Sequence, residues 1–239
     1  MTDVDPAVPS DPLAEAEEKI LAAAPIHVTF DGWTRAALEA ACRDAGVDQA
    51  MIKACFPRGG VDAALAFHRR GDRLMAEAFA AEAHGGWGFT QKVTRAVRLR
   101  LEVVSDAREA VRRGAALLSL PIYAPDAARA VWGTADAIWT AVGDASEDGN
   151  WYTKRATLSG VYSATALYWL GDETPGASAT WEFLDRRISD VMRIESTKAA
   201  LRRNPLGRLA LGMQDGLMKL VKPPRAARRP DAAASPAGH

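Results

Sequence analysis

Apolar residues recur along this chain at spacings of three and four, and no stretch alternates in the manner of a half-buried strand. Leu13 to Ala24 reads as a first helix, ended by Pro25. Asp31 or Thr34 can cap a second, with Ala37, Leu38, Ala41 and Ala45 turned inward. Gly46–Val47 then turns into a third helix that Asp48 can cap and Pro57 stops. Val61, Leu65, His68, Met75 and Phe79 share one face of a fourth, closed by Gly85–Gly86. Further helical patterns cover 89–104, 106–119, 125–143, 151–170, 179–195 and 204–221. The expectation is an all-α bundle of about ten helices without internal repeats. Residues 1–12 and 223–239 are rich in Pro, Asp, Ala and Arg and read as disordered tails.

Charge changes this picture at one end only. The 239 residues have a formal net charge of zero. From Thr197 onward, however, nine Lys or Arg face only Asp215 and Asp231. Such asymmetry suits an anionic surface. The opposite end carries Asp3, Asp5, Asp11, Glu15, Glu17 and Glu18 before its first Lys, which fits neither a secretory signal nor a transit peptide. No run approaches the roughly twenty apolar residues that span a bilayer. The expected location is cytoplasmic, peripheral on the cytoplasmic membrane, or the matrix side of the inner membrane if the protein is organellar.

Candidate chemistry is sparse. Cys42 and Cys55 lie in helical patterns without metal-ligand spacing and read as reduced core thiols. His27, His68, His84 and His239 are scattered, and His68, on an apolar helix face, reads as a satisfied core residue. There is no HExxH, no pair of Glu-x-x-His repeats and no GxSxG elbow. The expectation is a protein that is not an enzyme, with no cofactor and no metal.

Ala41 to Gly59 (ACRDAGVDQAMIKACFPRG) resembles the helix-turn-helix of TetR-type regulators, with Gly46, Val47, Phe56 and Pro57 at scaffold positions. The positions that would meet DNA hold Asp48, Gln49, Ala50, Met51, Lys53, Ala54 and Cys55, of which only Lys53 is basic. The expectation is a scaffold without a reading surface and no nucleic-acid partner; a ligand-responsive regulator is the alternative reading.

On a helix over 150–170, Trp151, Leu158, Tyr162, Thr165 and Trp169 form one stripe, opposed by the small residues Ala156, Gly160, Ser163 and Ala164. Periodicity alone fits a core seam as well as a cavity lining. Asn150-Trp151-Tyr152-Thr153-Lys154-Arg155, then Leu158, Val161-Tyr162, Asp172 and Thr180-Trp181-x-Phe183-Leu184-x-x-Arg187-Ile188-x-Asp190 resemble the ubiquinone-biosynthesis accessory family, coenzyme Q biosynthesis protein nine. So do Phe30-Asp31-Gly32-Trp33, Asp44-Ala45-Gly46 and Phe56-Pro57, so that the resemblance runs from about residue 14 to 221. The loop Glu173-Thr174-Pro175-Gly176 departs from a pattern that often shows serines.

The resemblance implies a TetR-like fold, a homodimer and an isoprenoid lipid held in an apolar cavity. It also implies a partner, the demethoxyubiquinone hydroxylase, contacted through Trp151, Tyr152 and Arg155. Leu158, Tyr162, Thr165, Trp169, Trp181, Leu184 and Ile188 are the expected cavity residues. Residues 13–57 then form a degenerate helix-turn-helix region, 58–197 a lipid-binding domain and 198–222 a membrane-binding helix. In that last segment Leu206, Leu209, Met213, Leu217, Leu220 and Val221 lie within about 60° of one direction, at about 100° per residue. Arg208, Asp215, Lys219 and Lys222 lie behind them. Gly207, Gly212 and Gly216 each cost about 1 kcal/mol against Ala, so this helix is expected to order on docking to a membrane surface.

Overall fold

A computed structural model describes residues 11–144 and 149–203. Over these the chain forms nine α-helices: α1 (Pro12–Asp31), α2 (Arg35–Ala45), α3 (Ala50–Cys55), α4 (Gly60–Ala81), α5 (Phe89–Glu102), α6 (Arg108–Leu118), α7 (Ala124–Ala141), α8 (Gly149–Gly171) and α9 (Ser178–Arg203). The all-α expectation holds, and no strand occurs among the described residues. The amphipathic pattern over 206–221 and both tails, apart from Asp11 and Pro12, lie outside them.

The first helix departs from its expected bounds at both ends. Asp11 accepts a hydrogen bond from the Leu13 amide at 3.0 Å and Pro12 occupies the first turn, where its missing N–H costs nothing. At the other end α1 runs through Pro25 and stops at Gly32. An interior proline costs about 3 kcal/mol. Here Ile20, Leu21, Ala24 and Val28 form a fully buried stripe that continues across it, and burying one Val contributes about 1.5–3 kcal/mol. Tertiary burial outweighs the local stop.

α2 follows as expected: Thr34 Oγ1 accepts from the Ala37 amide, and Gly46 closes the helix in the left-handed conformation. Asp48 accepts from the Ala50 amide at the start of the six-residue α3. Phe56 is buried directly before Pro57.

Two hydrophobic cores result. One joins α1–α3 to the first turns of α4 and to Ala110 of α6, around Ile20, Leu38, Phe56 and Phe67. The other joins the far half of α4 to α5, α7, α8 and α9, around Met75, Leu101, Ile138 and Leu184. α4 therefore passes through both. Its start fits tightly: a Cβ on Gly60 would lie 1.8 Å from the Trp33 carbonyl oxygen, so only glycine lets α4 abut the α1–α2 turn.

Candidate functional site

A cavity of about 270 Å³ opens at the seam between the two cores. Trp33, Ala64 and Phe67 come from the first core, and Leu101, Tyr162 and Leu170 from the second. Trp33 is fixed by its indole N–H, which donates to the Ala110 carbonyl at 3.0 Å, and by the Phe67 ring 5.3 Å away. Among mainly apolar residues the wall also holds Ser119, Ser163, His68, Arg100 and Tyr162.

His68, Arg100 and Tyr162 belong to a buried polar network. Arg100, 3% exposed, donates through Nε to Asp72 Oδ1 at 2.6 Å and through Nη2 to the His68 carbonyl at 2.8 Å. A Cβ on Gly71 would sit 2.6 Å from the guanidinium carbon, so the glycine lets the charge lie against α4. The Thr134 hydroxyl donates to Asp72 Oδ1 at 2.8 Å. With that proton committed, His68 Nε2–H donates to Thr134 at 2.8 Å. Burial, reinforced by the Arg100 charge, pushes the His68 pKa down to about 4, so the imidazole is neutral. Burial pushes the Tyr162 phenol up and keeps its hydroxyl protonated.

The start of α8 builds a different surface. Trp151 and Tyr152 meet edge to face at 4.8 Å, and Trp132 of α7 lies 5.9 Å from the first and 6.2 Å from the second. All three rings are half-buried. Arg155 is buried beneath them: its guanidinium carbon lies 3.8 Å from the Trp151 ring centre, and Nε donates to Asp136 at 2.5 Å. The buried Arg155 thus backs the half-buried Trp151 ring. One turn along, Lys154 donates to Asp144 at 2.7 Å and lies over the stacked rings of Phe89 and Trp139. Beneath this lid is a second cavity of about 220 Å³, lined by Val93, Leu158, Val161 and Ile188 among others.

α8 therefore connects the aromatic surface, the second cavity and the seam cavity. Trp151 and Tyr162 are about 16 Å apart along its axis at about 1.5 Å per residue. Of the residues expected to line a cavity, Leu158 and Ile188 line the second and Tyr162 the seam cavity. Thr165, Trp169, Trp181 and Leu184 line neither.

A family model for COQ9 matches residues 124–195, from the start of α7 into α9. The ubiquinone biosynthesis protein COQ9, mitochondrial, of Drosophila melanogaster is 33% identical over 181 residues, which is 74% of this chain and 55% of that protein. Its counterpart from Rattus norvegicus is 30% identical over 190 residues, 77% of this chain and 61% of that protein. The chain belongs to the COQ9 family. The match spans a little over half the length of these COQ9 relatives. A TetR transcriptional regulator from Nitrosomonas europaea superposes with a TM-score of 0.58 at 18% identity, covering 75% of this chain and 97% of the regulator. The COQ9 chain thus has the TetR-like fold.

The remaining COQ9 motif residues organise the α8–α9 corner. Asp172 accepts from the backbone amides and hydroxyls of both Thr174 and Thr180, which hold its carboxyl well below the usual carboxylate range. The Thr174 hydroxyl supplies a donor in the loop that lacks the family's serines. Arg108 and Arg112 of α6 donate to the carbonyls of Trp169, Leu170 and Asp172, capping α8, and Arg108 covers the Trp169 ring. Trp181 donates to the Gly176 carbonyl under Arg98, while Leu184 and Thr165 are core residues. Trp132 and the Asp72–Arg100–Thr134 network escaped the sequence reading. The available signal was Arg100 within the apolar pattern of α5, where a charge requires a buried partner.

Proposed function

We propose that this COQ9-family protein is a non-enzymatic accessory factor of ubiquinone biosynthesis. It binds an isoprenoid quinone precursor and presents it to the demethoxyubiquinone hydroxylase at a membrane surface. The observation that carries the reading is the arrangement along α8: a half-buried aromatic cluster and two mainly apolar cavities share one helix. Water excludes a polyprenyl chain, so an apolar cavity is where it resides. A carrier docked beside an enzyme also replaces a vanishing aqueous concentration by a local one.

Trp132, Trp151 and Tyr152 offer the partner the rigid, half-exposed rings on which protein contacts concentrate. A second copy covers the face on which Tyr168 stacks on Phe183 at 4.6 Å beside the exposed Leu167. Among the described residues no helix is long and apolar enough to cross a membrane. The basic amphipathic segment 206–221 supplies a peripheral attachment.

The direct test is purification followed by lipid extraction and mass spectrometry. A co-purifying isoprenoid quinone or precursor is expected, and an extract with phospholipid alone would count against the carrier.

A further inference from the structure

At one end of the bundle α9 passes the start of α5. Arg98 lies over the Trp181 ring, and further along α9 Ile188 and Val191 line the second cavity together with Phe89, Thr90 and Val93. The two helices therefore run antiparallel. α9 continues past Phe89 to Arg203, about 18 Å beyond Val191 at about 1.5 Å per residue. The basic amphipathic sequence from Leu206 follows directly on it.

The α4–α5 turn lies at this same end. Gly85 to Gln91 are exposed without interruption, and none of them carries a charge. Glu82, the nearest acid in the sequence, is held by Arg95 in bonds of 2.5 to 3.1 Å. Two large rings stand out from the turn: Trp87 is 39% and Phe89 43% exposed. Both are braced from behind. His84 stacks on Phe79 at 3.8 Å and meets Trp87 edge to face at 5.2 Å, while Phe89 stacks on Trp139 at 5.4 Å. A fixed, uncharged turn bearing Trp and Phe suits the headgroup layer of a bilayer, where an indole buries its ring and keeps its N–H in water. Without acids, the turn does not repel an anionic surface.

We propose that the α4–α5 turn is a second contact with the lipid bilayer, with Trp87 and Phe89 entering the headgroup layer beside the basic amphipathic segment. This rests on the membrane-attachment reading above and adds to it the end of the bundle that meets the bilayer. Charge on the segment brings the protein to the surface, and the turn fixes its tilt. Lys154, in the first turns of α8, lies over Phe89. The neighbouring Trp151 and Tyr152 are thereby held close to the headgroups, where the proposed partner is met.

The test uses the full chain and vesicles of mixed phosphatidylcholine and phosphatidylglycerol, with and without bromine on the acyl chains next to the headgroups. Brominated lipid is expected to quench part of the tryptophan emission of the parent protein. Trp87→Phe, which keeps an apolar ring, is expected to bind the vesicles as the parent does but to lose most of that quenching. Trp87→Ser is expected to bind about tenfold more weakly, as loss of one partly buried large side chain provides. Its melting transition is expected to stay within a few degrees of the parent's, because the ring is exposed. If Trp87→Ser unfolds, the quenching of Trp87→Phe decides alone. Undiminished quenching in Trp87→Phe, or parent-like affinity in Trp87→Ser, would overturn the second contact and leave attachment through the segment standing. Parent-like vesicle binding by Trp87→Ser together with lost pull-down of the hydroxylase would overturn it too and make the turn a protein contact. If the parent binds no vesicles, the attachment reading falls as well.

Discussion

Burial and the neighbouring Arg100 hold the His68 imidazole neutral down to about pH 4, whereas in an unfolded chain it takes up its proton near pH 6.5. Between those values the unfolded chain binds more protons than the folded one. The stability contributed is therefore complete above pH 6.5 and is lost as pH falls toward 4. A shift of this size is worth about 3 kcal/mol. Urea unfolding at successive pH values is expected to give a midpoint that falls steeply across this window in the parent protein and more gently in His68→Gln. Parallel curves would assign the response to another group. The helical pattern places His68 on an apolar face, and the structure gives it the partner that position requires. What it could not show is the identity of the partners, because Arg100 and Thr134 arrive from helices 32 and 66 residues away.

At the scale of one element, α8 tests whether an exposed motif serves docking or packing. Trp151 contacts Trp132, Tyr152 and Arg155 at the bundle's edge and belongs to neither buried core. Trp151→Lys is accordingly expected to shift the melting temperature by only a few degrees while abolishing pull-down of the demethoxyubiquinone hydroxylase. A variant that unfolds would show that the ring is structural. Elements whose ends are fixed by local chemistry were legible: Thr34, Gly46, Asp48 and Pro57 act where their side chains and backbone preferences suggest. Pro25 was not, because a buried stripe on both sides of it decides the length of α1. Asp48 and Gln49 in the turn before α3, with Ala50, Lys53 and Ala54 on it, are the exposed residues there, so one basic side chain stands where phosphate binding draws on several.

For the whole molecule, the proposed function divides cargo and docking in the bundle from membrane attachment in the basic amphipathic sequence beyond it. Among the described residues the two cores span residues 20–191. A chain ending at Pro205 is therefore expected to keep its helical content and melting transition but to stop co-sedimenting with anionic liposomes. Undiminished co-sedimentation would remove the membrane role from that segment. The all-helical architecture was readable from periodicity, yet neither cavity was. A cavity is the space left between elements distant in the sequence, and its walls here come from turns as separate as Trp33 and Leu170.

That placement has a thermodynamic outcome. The seam cavity borrows its walls from both clusters, which otherwise join chiefly through α4 and α6. A lipid held there, as proposed, would add contacts to both clusters at once and join them into one cooperative unit. Without it, the α1–α3 layer would be the part expected to open first. Resistance to heat and to proteases would then report whether the cavity is filled.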